Sequence, residues 1–98
     1  TKLLIEVSGY KIDPIEVEET LTGLTAISDV AVAGLPDSRA GNRLVAYVVK
    51  GADISADEIL RHARSRLSVQ KVPAEIAFVE ALPRSSTGKL LRARLKDL

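Results

Sequence analysis

The residues best suited to chemistry lie close together near the end of the chain, in the segment LPRSSTGKLLR at positions 82–92. Gly88 allows a backbone conformation that is closed to other residues, and Lys89 follows it with a positive charge. The hydroxyl groups just before them belong to Ser85, Ser86 and Thr87. This composition favours an exposed loop whose lysine can neutralise an anion. A solvated basic turn has the same composition, and composition alone favours that simpler interpretation.

A phosphate-binding P-loop, with the pattern G-x-x-x-x-G-K-[ST], also contains a Gly-Lys pair. Pro83 stands where that pattern requires glycine, and Leu90 stands where it requires Ser or Thr. No apolar strand leads directly into a glycine-rich cradle either. The P-loop interpretation is therefore rejected.

Other titratable residues offer weaker candidates. His62 is the only histidine, and no nearby residue supplies the geometry of a catalytic triad or a metal site, so a surface position is favoured. Glu16, Glu18 and Glu19 lie at a predicted helix start, where acidic side chains serve capping and dipole roles more often than metal binding. No metal ligand is predicted.

The first elements that must position these residues are a hairpin and a helix. Residues 3–7 and 10–12 are short β-rich runs, and Ser8 and Gly9 between them are turn formers. Asp13 is a good N-cap and is followed by proline at the first helical position. The sequence therefore predicts an N-terminal β-hairpin that leads directly into a helix.

Two strands follow in the middle of the chain. Residues 27–35 contain the apolar run 30–33, and residues 44–49 are apolar at successive positions, a pattern typical of strands buried on both faces. The pattern predicts that both are central strands of one sheet. Residues 36–42 between them are dense in turn formers and predict an exposed loop.

The second half of the chain predicts another helix, a third strand and a short final helix. Ser55 and Glu58 form a capping-box pattern, and residues 75–80 alternate as in a strand. The final helix would turn its leucines to the core and leave Arg92, Arg94 and Lys96 in solvent. Together the elements predict an α+β fold, with a small central sheet, a β-hairpin at the N-terminus and helices packed on the sheet.

Length and composition limit the possible classes of protein. The 98 residues suffice for one domain, 1–98, with one modest core. No apolar run approaches the ~20 residues of a transmembrane helix, and a net charge of +1 favours neither nucleic acid nor membrane as a partner. The absence of cysteine suits a reducing compartment, so we expect a cytoplasmic protein.

The segment 82–92 resembles the motif L-P-R-[ST]-x-[ST]-G-K-[IVL]-x-R near the end of the adenylate-forming enzymes, which include acyl-CoA synthetases, adenylation domains and luciferases. Four further segments agree with that family in order and spacing, so the resemblance extends over essentially the whole chain. These segments are residues 7–18, 30–37, 44–49 and 71–73. Pro83-Arg84 and the residues after Lys89 resemble acyl-CoA synthetases most.

The resemblance implies roles for particular residues. Lys89 matches the family's catalytic lysine, which contacts the substrate carboxylate and the α-phosphate region while ATP and the acid become acyl-AMP and pyrophosphate. Thr87 and Gly88 would lie at the nucleotide. The domain would then rotate and present a turn to the active site for thioester formation with CoA. The residues of that turn are Ser8, Gly9, Tyr10 and Lys11.

The resemblance also implies an incomplete enzyme. The chain would be the C-terminal mobile lid of a larger protein, cut near an interdomain hinge just before Thr1 and inactive alone. Its partner would be its own N-terminal domain, which binds ATP and the acyl substrate. ATP and CoA would be substrates of the full enzyme, with Mg²⁺ accompanying ATP, and none would bind to this domain alone.

Two other functions remain open at the level of sequence. The lid could belong to an adenylation domain that loads a carrier-protein pantetheine, for which the same lysine and turn would serve. The chain could instead be a non-catalytic binding module whose basic C-terminal segment grips an acidic partner. A nucleic-acid partner is disfavoured, because only Tyr10, Tyr47 and Phe78 are available for stacking on bases.

Overall fold

Five strands and two α-helices make up most of the computed structural model, which describes residues 3–98. In chain order they are β1 (Ile5–Val7), β2 (Tyr10–Ile12), α1 (Pro14–Leu21), β3 (Ile27–Asp37), β4 (Gly41–Lys50), α2 (Ala56–Arg66) and β5 (Glu75–Phe78). Two short 3₁₀ helices span Val69–Lys71 and Arg92–Asp97. The predicted α+β class is confirmed. The hinge expected before Thr1 lies outside the described residues.

Both α-helices begin where the sequence predicts. The Asp13 carboxylate accepts a hydrogen bond of 3.0 Å from the backbone N–H of Ile15, which caps α1. At α2 the Glu58 backbone N–H donates to the Ser55 hydroxyl at 3.2 Å, and the Glu58 carboxylate accepts from the Ser55 N–H at 3.3 Å. The capping box predicted at Ser55 is therefore confirmed.

The strands form two separate sheets. β1 and β2 make the predicted antiparallel hairpin, while β3, β4 and β5 form a sheet in that order, antiparallel between β3 and β4 and parallel between β4 and β5. Only β4 is central, so the prediction of a central position for β3 is wrong. The loop predicted at 36–42 is also shorter than expected, because Asp37 pairs with Gly41 and extends both strands.

The three-stranded sheet is buried on both faces. Side chains of β3 and β4 alternate between a larger core against α1 and α2 and a smaller core on the opposite face. The larger core contains Ile12, Val17, Leu21, Ile27, Val30, Val32, Leu44, Ala46, Val48, Ile54, Ile59, Ala63 and Leu67. The smaller one contains Ala31, Val45, Tyr47, Leu82 and Leu95. Burial on both faces explains why β3 has the sequence pattern of a central strand.

The C-terminal 3₁₀ helix covers the free edge of β3. Leu95 of this helix is fully buried, as predicted, whereas Leu98 is exposed, so the prediction that Leu98 faces the core is wrong. The sequence predicts Arg92 in solvent, and this prediction is wrong. Its guanidinium donates to the Glu18 carboxylate at 2.8 and 2.9 Å and to the backbone carbonyl of Val32 at 3.1 Å. Among the described residues, no helix is long and apolar enough to cross a bilayer.

Tyr47 makes the stability of the smaller core sensitive to alkaline pH. Burial, and secondarily the negative charge of Glu75, raise the pKa of its hydroxyl above the ordinary value of 10.0, while Arg43 acts in the opposite direction. The folded chain then holds this proton more tightly than the unfolded chain. We expect the free energy of unfolding to fall as the pH rises above about 10, by at most ~1.4 kcal/mol per pH unit from this group. The stabilisation is complete below that pH.

Urea unfolding between pH 8 and pH 11 measures this dependence. Tyr47→Phe should flatten the alkaline decline, because phenylalanine has no proton to lose. Tyr10→Phe is the matched control, since Tyr10 is half-exposed on the hairpin. An identical decline in the Tyr47→Phe variant and the parent chain would contradict the assignment.

Candidate functional site

The Gly88-Lys89 segment folds as a tight hairpin rather than an irregular loop. Arg84 pairs with Leu90 in an antiparallel bridge. Between them the Gly88 N–H donates to the Ser85 carbonyl at 2.9 Å, and the Ser85 N–H donates to the Lys89 carbonyl at 2.9 Å. Gly88 has a φ of +89°, a left-handed conformation that disfavours other residues. The glycine therefore closes the turn directly before the lysine. We call residues 84–90 the lysine hairpin.

The hydroxyl groups predicted to make hydrogen bonds stabilise this turn from within. The Ser85 hydroxyl lies 2.9 Å from the Thr87 hydroxyl and accepts from the backbone N–H of Lys89 at 3.2 Å. Thr87 and Gly88, the predicted nucleotide contacts, are both exposed at the tip. A polar ligand can therefore reach the tip of the lysine hairpin without displacing core residues.

The Lys89 side chain is exposed at the end of this turn. Among residues 3–98, no carboxylate lies within 4.0 Å of its ammonium group, whereas Lys71, Arg43, Arg84 and Arg92 are each paired with an acid. The charge of Lys89 is thus not compensated within the described chain. An ammonium group in this position can bind and stabilise an anionic group of a ligand.

Arg84 fastens the lysine hairpin to the beginning of β3. Its guanidinium donates to both carboxylate oxygens of Asp29 at 2.8 to 3.1 Å, and its Nη1 donates to the Gly88 carbonyl at 2.9 Å. The hydrogen bond and the charge of Asp29 raise the pKa of Arg84, although the group is exposed. The sequence motif includes Arg84, but sequence reasoning missed Asp29. The only local hint is an acidic residue within a strand, where this type is uncommon.

The second predicted site is the turn between β1 and β2. Val7 pairs with Tyr10, so Ser8 and Gly9 form a two-residue loop with φ values of +51° and +86°. Two positive φ angles are typical of the type I′ turn, whose twist matches that of a hairpin. A Cβ atom added at Gly9 would meet no atom within 4 Å. Tyr10 and Lys11 are exposed beside it, so all four predicted residues of this turn are accessible.

The structure does not bring the two predicted sites together. The Ser8 N–H donates to the Ala40 carbonyl at 2.8 Å, in the turn that follows Asp37 at the end of β3. The lysine hairpin is attached to Asp29, near the other end of the same strand. A strand that rises ~3.3 Å per residue separates Asp29 from Asp37 by about 26 Å. The two turns are therefore attached near opposite ends of β3.

Of the remaining candidates, His62, Glu16 and Glu18 make structural contacts, and Glu19 is exposed. His62 is half-buried rather than on the surface, and its Nε2 lies 2.9 Å from the Thr20 carbonyl, which links α2 to α1. Glu16 pairs with Lys71 and Glu18 with Arg92. Within residues 3–98, no group of three or more His, Cys, Asp or Glu side chains is placed to hold a metal ion.

Comparisons with known proteins identify relatives over nearly the whole chain. A profile of the family described as AMP-binding enzyme C-terminal domain matches residues 16–89. A long-chain-fatty-acid–CoA ligase of Bacillus subtilis (strain 168) is 46% identical over 98 residues, which cover 98% of this chain and 18% of the relative. The chain thus spans about a fifth of the length of this relative.

Solved structures agree with the same family. A fatty acyl CoA synthetase of Mycobacterium tuberculosis has a TM-score of 0.90 and 37% identity, covering 96% of this chain and 19% of that one. An o-succinylbenzoate CoA synthetase of Bacillus subtilis, solved with its acyl-adenylate intermediate, has a TM-score of 0.93 and 37% identity. That match covers 97% of this chain and 20% of the synthetase.

Proposed function

Because the chain belongs to the family of AMP-binding enzyme C-terminal domains, we propose that it is the mobile lid of a carboxylic acid:CoA ligase. The lid would supply Lys89 for acyl-AMP formation and the Ser8-Gly9 turn for the subsequent thioester formation with CoA. Its partner would be an N-terminal domain of the same protein that binds ATP and the acyl substrate. The matched relatives support this proposal, since their names are those of CoA ligases and they are about five times longer than this chain.

The observation that carries the proposal is the ammonium group of Lys89, which has no acidic partner within residues 3–98 and stands on a well-defined hairpin. Acyl-AMP formation joins a carboxylate to the α-phosphate of ATP and releases pyrophosphate, so negative charge is concentrated around the reacting oxygens. An ammonium group placed at those oxygens stabilises the transition state without exchanging a proton. The internal hydrogen bonds of the lysine hairpin hold the backbone of Lys89 in one conformation before a ligand binds.

The separation of the two turns supports two successive positions of the lid. With the turns anchored about 26 Å apart along β3, Lys89 and Gly9 would reach the same reaction centre only if the domain moved between the half-reactions. In the first position Lys89 would face ATP and the acid. In the second, the Gly9 turn would let the pantetheine arm of CoA pass close to the backbone, because glycine has no side chain to obstruct it.

The roles of other groups follow from their chemistry. Thr87 and Gly88 would border the nucleotide at the tip of the lysine hairpin, and Tyr10 and Lys11 would border CoA. Mg²⁺ would reach the reaction with ATP and reduce the negative charge of the phosphates, and no residue of this chain is proposed as its ligand. ATP and CoA are substrates of the complete enzyme, so this domain is expected to be inactive alone.

The test of the proposal uses the full-length protein that carries this segment. ATP–pyrophosphate exchange with a panel of carboxylic acids reports adenylation, and release of acyl-CoA from supplied acyl-adenylate reports thioester formation. Free CoA and a carrier-protein pantetheine are compared as acceptors. Acid-dependent exchange with transfer to CoA supports the ligase. Transfer to the carrier alone would replace it with an adenylation domain, and no exchange with any acid would refute both.

Gly9→Ala should slow the second half-reaction selectively. The added Cβ would occupy the turn where the pantetheine arm is expected, so we expect thioester formation to fall about tenfold while ATP–pyrophosphate exchange stays within about twofold. The positive φ costs ~1 kcal/mol of strain whatever the ligand.

Gly41→Ala controls for that strain. Gly41 has a φ of +80° and, like Gly9, open space around its missing side chain, but it is the first residue of β4. Gly41→Ala should therefore lower the free energy of unfolding by a similar amount, without slowing one half-reaction more than the other. A Gly9→Ala variant that behaves like Gly41→Ala would remove the Gly9 turn from the proposal.

A further inference from the structure

The lysine hairpin needs an attachment to the sheet if Lys89 is to be presented in a defined direction. Most of its hydrogen bonds join residues within the hairpin, so they define the shape of the hairpin but not its orientation relative to the sheet. In the described part of the chain, the hydrogen bonds that leave residues 84–90 for another element all come from Arg84 and all end on Asp29. Leu90 also packs against the smaller core at the base of the hairpin, so this pair is the polar attachment that orients the tip in addition to that packing.

The geometry of the pair is unusually restrictive for exposed side chains. Nε and Nη2 of Arg84 both contact Oδ2 of Asp29, at 3.1 and 3.0 Å, and Nη2 also contacts Oδ1 at 2.8 Å. Two donors on one carboxylate fix the plane of the guanidinium. The carboxylate is held in turn, because its Oδ1 accepts from the backbone N–H of Val30 at 3.0 Å. The arginine is thus oriented from the side of β3.

The same guanidinium reaches the residue before the lysine. With two nitrogens on Asp29, the third nitrogen, Nη1, donates to the Gly88 carbonyl at 2.9 Å. That carbonyl belongs to the peptide group whose N–H is that of Lys89, so its position determines where the backbone of Lys89 begins. A continuous path of hydrogen bonds therefore runs from β3 through Asp29 and Arg84 to the backbone of Lys89.

We infer that Arg84 is a positioning residue for Lys89, and that Asp29 acts with it by fixing the guanidinium that holds the Gly88 carbonyl. The inference rests on the proposed function of Lys89. A transition-state contact is sensitive to small displacements, and a shift of about 1 Å can lower a rate by ~100-fold. An exposed ion pair contributes little to global stability. Loss of this pair should therefore affect adenylation far more than folding.

The experiment compares Arg84→Gln, Asp29→Asn and the double variant in the full-length protein. Each single change should lower ATP–pyrophosphate exchange by about 10-fold to ~100-fold, mainly through kcat, because orientation rather than ATP binding is lost. Thioester formation from supplied acyl-adenylate should stay within about twofold of the parent. The double variant should lose no more ATP–pyrophosphate exchange than either single variant, because both substitutions remove the same contact. Arg84→Lys should be nearly as slow in ATP–pyrophosphate exchange as Arg84→Gln, since one lysine ammonium cannot contact Asp29 and Gly88 together.

Arg43→Gln is the matched control. Arg43 also pairs with an acid, Glu75, and donates to a backbone carbonyl, that of Pro36, and its side chain is 39% exposed against 38% for Arg84. It has no contact with the lysine hairpin. It should therefore leave both half-reactions within about twofold of the parent. If Arg84→Gln and Arg43→Gln gave the same profile, or if Arg84→Gln slowed both half-reactions equally, the inference would be overturned.

Hydrogen exchange separates this inference from the proposed function. Peptides that cover residues 84–91 should exchange amide hydrogens faster in Arg84→Gln and Asp29→Asn than in the parent protein. Their exchange rate should be unchanged in Arg43→Gln. Unchanged exchange would overturn the positioning role whatever Lys89 does. Faster exchange together with normal adenylation in a Lys89→Ala variant would instead overturn the catalytic role of Lys89, and with it the inference that depends on that role.

Discussion

Replacing Lys89 with alanine in the full-length protein is expected to lower ATP–pyrophosphate exchange by about 100-fold or more. Removing one charged or hydrogen-bonding group that faces the developing charge of a transition state typically costs ~100-fold to ~1,000-fold in rate. The loss should be large because no other cation of the lysine hairpin is available: Arg84 is committed to Asp29 and Gly88. Thioester formation from supplied acyl-adenylate should continue at nearly the parent rate, since the lysine would then face away from the reaction.

Lys96→Ala provides the control for the change in charge. Lys96 is an exposed lysine in the C-terminal 3₁₀ helix, and its replacement by alanine removes the same unit of positive charge. Both half-reactions should stay within about twofold of the parent in that variant, because long-range charge effects are screened at physiological salt. Equal loss of the two half-reactions in Lys89→Ala would contradict the assignment of the lysine to adenylation alone.

Replacing Glu18 with alanine is expected to lower the free energy of unfolding by about 2–4 kcal/mol. The Glu18 carboxylate accepts from the Val32 N–H at 2.8 Å and from two nitrogens of Arg92. The pair is largely buried, with 14% of the Glu18 side chain and 25% of the Arg92 side chain exposed. Without Glu18 the backbone N–H of Val32 loses its acceptor, and the arginine keeps its charge with only the Val32 carbonyl as a partner.

Urea unfolding of the 98-residue chain measures this change, with Glu16→Ala as the matched control. Glu16 lies on the same helix and pairs with Lys71 at 3.0 Å, but 47% of its side chain is exposed. Its loss should cost less than ~1 kcal/mol, as is usual for surface pairs. The Glu18→Ala/Arg92→Ala double variant should lose less than the sum of the single variants, because no unpaired charge remains. Equal losses in Glu18→Ala and Glu16→Ala would show that the edge of β3 does not depend on Glu18.

Features fixed by neighbouring residues could be predicted from the sequence. The helix starts at Asp13 and Ser55 depend on side chains that bond backbone groups a few residues away, and both form as expected. The Ser8-Gly9 turn and the turn at Gly88 require positive φ, and glycine is the residue that accepts it most readily. The tip of the lysine hairpin could likewise be predicted as an exposed loop, because its residues are turn formers.

Features that depend on distant partners were missed or misjudged. β3 has the apolar pattern of a central strand because both of its faces are buried. Such a pattern indicates burial, but it does not indicate which strands pair. His62 was assigned to the surface because no local residue could pair with it. Its partner is a carbonyl of α1, 42 positions earlier in the chain.

The sequence by itself determined the α+β elements, the positions of the two glycine turns and the presence of a lysine at the end of one of them. These depend on local backbone preferences and on a motif of adjacent residues. Only the tertiary structure decided that, among residues 3–98, Lys89 has no acidic partner while Arg84 and Arg92 are paired with acids, and that the two turns are attached near opposite ends of β3. The contacts responsible join Arg84 to Asp29 over 55 positions and Arg92 to Glu18 over 74. No local rule specifies such pairs, because they form only when the packed sheet and helices bring the side chains together.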